Sequence, residues 1–222
     1  MSVTAGENLN EHVVGSGWPA ARVRHERLGE AAQIIRALST GEYVSFSGWH
    51  FKVERAKLYD LPDTPVPIGI AASGPDSVQL AAEHADCMIA TEPDSSLVER
   101  FDEAAGTGKP KYGLLAICYH PNAATARDHA RRGWRYATGG WPVLSELPDP
   151  RSFDAASRNI SEDAITELVP CGPDTDQHVA AVRKFTEAGF THLALIQVGG
   201  DQQDQFISWA AKELLPALRS TG

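Results

Sequence analysis

The fold is indicated by a short apolar run, Val66-Pro67-Ile68-Gly69-Ile70-Ala71-Ala72, and by the turn after it, Ser73-Gly74-Pro75. A brief apolar run between turn residues is typical of a strand buried on both faces of a parallel sheet. Pro75 suits the first position of a helix, where the N–H group that proline lacks would have no partner within the helix. The stretch therefore predicts a strand, a turn and a helix that begins at Pro75 and ends near His84.

The same order of strand and helix continues along the rest of the chain. Strand patterns occur at 87–91, 114–119 and 192–198, with a strand fragment at 2–5. Helical periodicity occurs at 19–38, 94–105, 123–136, 161–168, 176–188 and 204–218. Strands that alternate with helices indicate parallel βαβ units, and the lack of G-x-G-x-x-G after any strand disfavours a Rossmann sheet.

These units predict an α/β fold, a partial (β/α)8 TIM barrel. About four core strands and one fragment fall short of the eight that a complete barrel needs. We expect residues 1–222 to form a single domain that is incomplete at the amino terminus. Two local predictions accompany this one: a hairpin around Ser47-Gly48 with Trp49 as a packing anchor, and a long loop over 138–158, which is rich in Gly, Pro, Asp and Ser.

Charge and composition narrow the range of functions. Lys and Arg total 20 against 29 Asp and Glu, a net charge of −9, which argues against nucleic acid or an anionic membrane as the main partner. The sequence has no membrane-length apolar run and no signal pattern. Cys87, Cys118 and Cys171 lack metal-ligand spacing and are expected to be structural thiols in a reducing cytoplasm. We therefore expect a cytoplasmic protein that acts on a small molecule without a metal.

Chemistry in such barrels gathers where strands end and their loops begin. Glu7 is a candidate general acid or base there, since a carboxylate partly removed from water titrates nearer neutrality, although a solvated loop glutamate is the simpler interpretation. Asn10 would hydrogen-bond a ligand ring or merely cap the turn. Around Ser73-Gly74-Pro75, free main-chain N–H groups and the positive helix end would cradle a phosphate, although an ordinary cap without a ligand explains the motif equally well.

Four pieces of the sequence resemble a known family in their order and spacing. They are Gly6-Glu7-Asn8-Leu9-Asn10-Glu11; Tyr59-Asp60-Leu61-Pro62 with Pro65-Val66-Pro67-Ile68; Ile70-Ala71-Ala72-Ser73-Gly74-Pro75; and His192-Leu193 with Gly199-Gly200-Asp201-Gln202. The chain resembles the luciferase-like flavin and deazaflavin oxidoreductases, nearest the branch of coenzyme F420-dependent glucose-6-phosphate dehydrogenases. The likeness extends over nearly the whole chain, and the combination is specific although no single piece is.

The resemblance implies a (β/α)8 barrel that binds F420, or alternatively FMN, in its mouth and moves a hydride to or from the ring. By position, Glu7 resembles the family's proton-handling catalytic carboxylate and Asn10 a residue that contacts the cofactor. Ser73, Gly74 and Pro75 resemble the phosphate-side turn, where the family usually has paired glycines. Thr91-Glu92 falls on the substrate side.

One departure from the family's pattern bears on the substrate. In the sugar-phosphate dehydrogenases a lysine lies three positions after the threonine that matches Thr91, and here that position is Asp94. An arginine of their phosphate pocket falls near Thr166-Glu167, where this chain has no cation. An acid in place of a cation repels phosphate, so we expect a non-phosphorylated alcohol, ketone or similar small organic substrate. Trp18, Trp141 and the 138–158 segment are candidates to line its pocket.

A second departure is at the amino terminus, where the family's first three strands have no counterpart. Their loops supply an acid, a histidine and a strained peptide bond beneath the ring. One edge of the sheet would then be open, with exposed apolar surface, and we expect a homo-oligomer, most simply a dimer. Two alternatives stay open: an FMN-dependent luciferase-like monooxygenase, and an inactive truncated barrel that only self-associates.

Overall fold

The structure is a computed structural model that describes residues 1–15, 17–105 and 108–220. Its strands are β1 (Ser2–Val3), β2 (Val44–Ser47), β3 (Lys52–Ala56), β4 (Gly69–Ala71), β5 (Cys87–Ala90), β6 (Lys111–Ile117) and β7 (His192–Gln197). Five of them form a parallel sheet in the order β1-β4-β5-β6-β7, and β2 and β3 form a separate antiparallel hairpin. The predicted parallel arrangement is confirmed, and the fragment near the amino terminus forms β1.

Helices connect the strands of the sheet. They are α1 (Asn8–Glu11), α2 (Ala21–Leu38), α3 (Pro75–His84), α4 (Ser95–Ala105), α5 (Ala123–Trp134), α6 (Trp141–Leu144), α7 (Pro150–Ser157), α8 (Glu162–Leu168), α9 (Thr175–Glu187), α10 (Gln203–Trp209) and α11 (Leu215–Ser220). A short π-helix, Ala210–Leu214, joins α10 and α11. Within the described ranges, none of the helices combines the length and the apolar character that crossing a bilayer requires.

The main core lies between the sheet and the helices. Ile70, Met88 and Ile117 of the sheet are completely buried, as are Phe101 of α4 and Leu214 of the π-helix. Burying such side chains contributes roughly 1.5–3 kcal/mol each. A smaller buried cluster, which includes residues of α5 and α8, contains Cys118 and Cys171, and all three cysteines are buried and free, as expected of structural thiols.

The face of the sheet opposite the helices is open at β7. Exposed residues alternate with less exposed ones along this strand, and Ile196 is 39% exposed. His192 stacks on Tyr112 of the paired strand, with ring centroids 4.5 Å apart. In contrast, Gly69 and Ile70 of β4 are buried, as the apolar run predicted. β1 and β7 end the strand order of the described sheet, so the open edge expected from the resemblance is present there.

The segment predicted as a long loop, 138–158, is largely helical, so that prediction was wrong. It contains α6 and α7. The Asp149 carboxylate accepts hydrogen bonds from the N–H groups of Arg151 and Ser152, and Pro150 takes the first helical position. Asp and Pro are common in loops but also begin helices, so composition alone did not separate the two cases.

Trp49 was predicted to anchor the hairpin by packing, but its side chain is 97% exposed. The hairpin is attached to α2 by Glu30 instead. The Glu30 carboxylate accepts the main-chain N–H groups of Trp49, His50 and Phe51 at 2.7, 3.0 and 2.9 Å. Hydrogen bonds to one carboxylate thus replace the expected aromatic packing.

Candidate active site

The parallel sheet brings the predicted site residues to the rim formed by the carboxyl ends of its strands. Val3 pairs with Ile70, and Ile70 pairs with Met88, so β1, β4 and β5 end at the same side. Glu7 follows β1, Ser73-Gly74-Pro75 follows β4, and Thr91-Glu92 follows β5. Because the carboxyl ends of neighbouring parallel strands lie on the same side of the sheet, all the predicted residues lie along this rim.

The Glu7 turn, residues 6–11, is held by main-chain contacts. Gly6 has φ +84°, and Glu7 precedes α1 in an extended conformation. The N–H groups of Asn10 and Glu11 donate to the carbonyl of Glu7 at 3.0 Å each. The amide Nδ2 of Asn10 lies 3.5 Å from Glu7 Oε2, at the limit of a hydrogen bond. The two residues predicted to handle a proton and a cofactor are therefore neighbours, and the Glu7 carboxylate is only weakly tied to the protein.

The turn at Ser73-Gly74-Pro75 has the predicted geometry, with Pro75 as the first residue of α3. The prediction that its N–H groups are free was wrong for Ser73 and Gly74. Both donate to the hydroxyl oxygen of Ser77, at 3.0 and 3.1 Å, and this hydroxyl donates to the carbonyl of Gly74 at 2.9 Å. A side-chain oxygen thus accepts from both main-chain groups that were predicted to receive an anion.

Gly74 leaves open space at this turn. Its backbone is extended, with φ −172°, and a Cβ atom built there would meet no protein atom within 4 Å. The glycine is therefore not required by the packing or the backbone conformation of the protein itself. A ligand that approached the main chain at this point would make use of the space.

Thr91 and Glu92 are both exposed and follow β5 directly. Asp94, the acid in the position where the resemblance leads one to expect a lysine, has a local structural role. Its Oδ1 accepts the N–H of Ser96 at 2.8 Å, at the start of α4. Glu92 and Asp94 place negative charge on this part of the rim.

Two residues near Glu7, Asn8 and Tyr136, were not predicted as site residues. Asn8 donates through its main-chain N–H to the carbonyl of Ser145 and through Nδ2 to the carbonyl of Glu146, at 3.0 and 2.8 Å. Tyr136 is partly buried, and its pKa is raised first by burial and then by the negative charge of Glu7. These contacts join segments about 130 residues apart in sequence, so no local pattern signals them.

A cavity of about 300 Å³ lies beside the Glu7 turn. Gly6, Glu11, Trp18 and Arg24 are among its lining residues, and that Trp18 lines a substrate pocket stays a prediction. Glu7, Asn10 and the residues of the Ser73-Gly74-Pro75 turn are not among the described residues that line this cavity. The Glu7 turn and the Ser73-Gly74-Pro75 turn therefore share a rim of the sheet but do not both line this cavity.

A comparison with known families matches most of the chain. The family model described as luciferase-like monooxygenase matches residues 2–192. The chain belongs to this family. Together with the five-stranded parallel sheet, the match confirms the partial (β/α)8 barrel and the resemblance inferred from the sequence.

Two curated relatives agree with the branch that was inferred. The F420-dependent glucose-6-phosphate dehydrogenase of Microbacterium testaceum is 32% identical over 231 residues, which cover 99% of this chain and 68% of that protein. The F420-dependent hydroxymycolic acid dehydrogenase of Mycobacterium tuberculosis is 31% identical over 229 residues, covering 99% and 61%. The relatives place the chain among the F420-dependent oxidoreductases of the family.

One solved structure agrees with the F420-dependent branch, and a second shares the fold. An F420-dependent secondary alcohol dehydrogenase in complex with an F420-acetone adduct matches with a TM-score of 0.86 and 27% identity, over 99% of this chain and 69% of that one. The coenzyme F420-dependent tetrahydromethanopterin reductase from Methanopyrus kandleri matches with a TM-score of 0.72 and 16% identity, over 98% and 73%. The second likeness shows the fold alone.

Proposed function

We propose that this chain is an F420-dependent oxidoreductase that transfers a hydride between the deazaflavin and a non-phosphorylated alcohol or ketone. One observation carries the proposal. The Glu7 turn and the Ser73-Gly74-Pro75 turn follow neighbouring parallel strands at one rim, in a chain whose compared relatives are named as F420-dependent dehydrogenases. In open and closed α/β sheets this rim is where cofactors bind.

The turn after β4 fits the anionic end of a cofactor. The N–H groups of Ser73 and Gly74 already converge on one oxygen acceptor, the Ser77 hydroxyl. A phosphate oxygen accepts the same kind of hydrogen bond, and the first turn of α3 adds the positive end of the helix dipole. The open space at Gly74 would let a ligand come close to the main chain at this turn.

The chain's own residues supply proton handling near this rim. When bound, the deazaflavin accepts or releases the hydride. Glu7 would hold the proton that an alcohol oxygen loses or a ketone oxygen gains, because among the described residues its carboxylate has only the long hydrogen-bond contact to Asn10 and is available to a substrate. Asn10, on the same turn, would orient the cofactor ring through its amide.

The choice of substrate class rests on charge. Asp94 is engaged with the N–H of Ser96, and Glu92 is exposed beside it. At the other position where the relatives' phosphate pocket has a cation, α8 carries Thr166-Glu167, and the Thr166 hydroxyl donates to the carbonyl of Asp163. Acids at these points repel a phosphate monoester, so a neutral alcohol or ketone is the better fit.

The test is a titration of the purified chain with oxidised F420, followed by fluorescence, in parallel with FMN. Saturable F420 binding and F420-linked oxidation of secondary alcohols, with no turnover of glucose 6-phosphate, would support the proposal. FMN binding with consumption of oxygen would replace it by the monooxygenase alternative. Binding of neither cofactor would favour the inactive barrel, and the mass of the assembly in solution would test the predicted dimer.

A further inference from the structure

Glu146, which follows α6, joins two distant segments through its side chain. Its Oε2 accepts the indole N–H of Trp18 at 2.7 Å, and its Oε1 lies 3.5 Å from a guanidinium nitrogen of Arg24 in α2. Trp18 and Glu146 are 128 positions apart in sequence. We call Asn8, Trp18, Arg24 and Glu146 the brace.

Arg24 depends on this carboxylate. Its side chain is 11% exposed, its guanidinium lies 3.7 Å above the ring of Trp18, and it donates to the carbonyl of Pro19 at 2.8 Å. Among the described residues, Glu146 is the only carboxylate in ion-pair contact with Arg24. A largely buried cation without an anion is strongly unfavourable, so Glu146 and Arg24 hold each other in place.

The other end of the brace reaches the Glu7 turn. The carbonyl groups of Ser145 and Glu146 accept the main-chain N–H and the side-chain amide of Asn8. Asn8 directly follows Glu7 and begins α1. In the part of the chain that the structure describes, the Glu7 carboxylate has one hydrogen-bond contact, to Asn10 at 3.5 Å, so its direction depends on the main chain that Asn8 fastens.

We propose that Glu146 is a positioning residue for Glu7. By fixing residues 145–146 against Trp18 and Arg24, Glu146 fixes the two carbonyl groups that hold Asn8, and through Asn8 it fixes the Glu7 turn. The catalytic part of this inference rests on the proposed function of Glu7, whereas the mechanical part does not.

Amide hydrogen exchange tests the mechanical part without any activity. In Glu146→Ala, the Asn8 N–H should exchange at least about tenfold faster than in the parent. Glu146→Gln keeps an oxygen that can accept the indole N–H of Trp18 but removes the charge that pairs with Arg24, so its exchange rate at Asn8 should lie between those of the parent and of Glu146→Ala. The Met88 N–H, which donates to Pro110 in the core sheet, reports whether the fold stays intact. Unchanged exchange at Asn8 in Glu146→Ala, with Met88 protected, would overturn the proposal.

A matched control is Glu162→Ala. Glu162 is also about half exposed and accepts one hydrogen bond from an arginine, Arg127, at 2.7 Å. This variant removes a comparable ion pair far from the Glu7 turn in sequence. Exchange at Asn8 should not change, and an equal acceleration in both variants would mean that the effect on Asn8 is a general loss of stability, which would also overturn the proposal.

A double-mutant comparison tests the catalytic part. If Glu146 acts through Glu7, Glu146→Ala lowers kcat about tenfold in the parent but has little further effect in the Glu7→Gln background. Equal losses in both backgrounds would contradict positioning of Glu7. If Glu7→Gln itself leaves turnover unchanged, the proposed function fails, and faster exchange at Asn8 would still establish the mechanical role.

Discussion

The main-chain N–H of Gly74 donates to the hydroxyl oxygen of Ser77 at 3.1 Å, and the same hydroxyl returns a hydrogen bond to the carbonyl of Gly74 at 2.9 Å. This reciprocal pair closes the turn between β4 and α3. It also engages the main-chain N–H groups of Ser73 and Gly74, which were predicted to receive a cofactor phosphate. If an anion binds at this turn, it would compete with the Ser77 hydroxyl for these two donors.

Removal of this hydroxyl should cost stability. In Ser77→Ala, two main-chain N–H groups lose their acceptor, and we expect the free energy of unfolding to fall by about 1 kcal/mol, the usual effect of losing a helix cap. Urea denaturation measures the change. Replacement of the exposed Ser208 of α10 by alanine is the control and should be within about 0.5 kcal/mol of the parent. A loss of the same size in both variants would contradict a specific role for Ser77.

Substitution of Gly74 should separate binding from folding. A Cβ at this position meets no protein atom within 4 Å, so Gly74→Ala should leave the free energy of unfolding unchanged. If the cofactor approaches the main chain there, its Kd should rise by about tenfold or more. Gly113→Ala is the contrasting variant, because its Cβ would lie 2.5 Å from Phe185 in the core and should destabilise the fold. Unchanged F420 affinity in Gly74→Ala would remove this turn from the cofactor site.

Substitution of Glu7 should affect turnover more than binding. Glu7→Gln cannot exchange a proton, so we expect kcat to fall by about 10²-fold or more, with the Kd for F420 nearly unchanged. Steady-state kinetics and fluorescence titration measure the two quantities. Glu11→Gln, an exposed carboxylate of the same turn, is the control and should retain the turnover of the parent. Equal turnover by Glu7→Gln and the parent would refute the proton-handling role.

The negative charge of Asp94 should lower the turnover of phosphorylated substrates. Asp94→Lys would supply a cation, and we expect turnover of glucose 6-phosphate to become measurable or to rise by about tenfold. The same change removes the acceptor of the Ser96 N–H and should cost about 1 kcal/mol of stability. Asp94→Asn keeps an acceptor and removes the charge, so it should be near the parent in stability. No gain of activity on the sugar phosphate in Asp94→Lys would show that this position is remote from the substrate.

His178 should make the fold sensitive to acid. Burial lowers the pKa of His178, opposed in part by its hydrogen bond to the carbonyl of Gly172 at 2.9 Å. At pH values well above about 6.5, the ordinary pKa of histidine, the imidazole is neutral in both the folded and the unfolded protein, so its protonation does not lower the free energy of unfolding. As the pH falls below that value, only the unfolded chain takes up the proton readily, so the free energy of unfolding decreases.

His178→Gln tests this dependence, since glutamine retains an N–H donor and does not titrate. Between pH 7 and pH 5, the free energy of unfolding should decrease less in the variant than in the parent. Urea denaturation at several pH values measures the slopes. Identical slopes would show that acid sensitivity arises from other groups.

The order of strands and helices could be predicted from the sequence because its signals are short in range. Pro75 starts α3, and Gly189, with φ +94°, follows the end of α9, as their residue types indicate. The rim location of Glu7 and Ser73 follows from the same order, because parallel strands end together. Predictions were wrong where one residue type serves two purposes, as in Asp149-Pro150, or where a single carboxylate, Glu30, replaced aromatic packing.

The sequence by itself determined most of the elements, their order and the family, since each of these elements and each piece of the family resemblance depends on residues within a few positions of one another. Only the tertiary structure decided that Glu146 meets Trp18 and that Asn8 meets Ser145, across gaps of more than a hundred residues. The physical reason is that such hydrogen bonds depend on which segments the packed sheet brings within about 3 Å, and local periodicity contains no information on that distance.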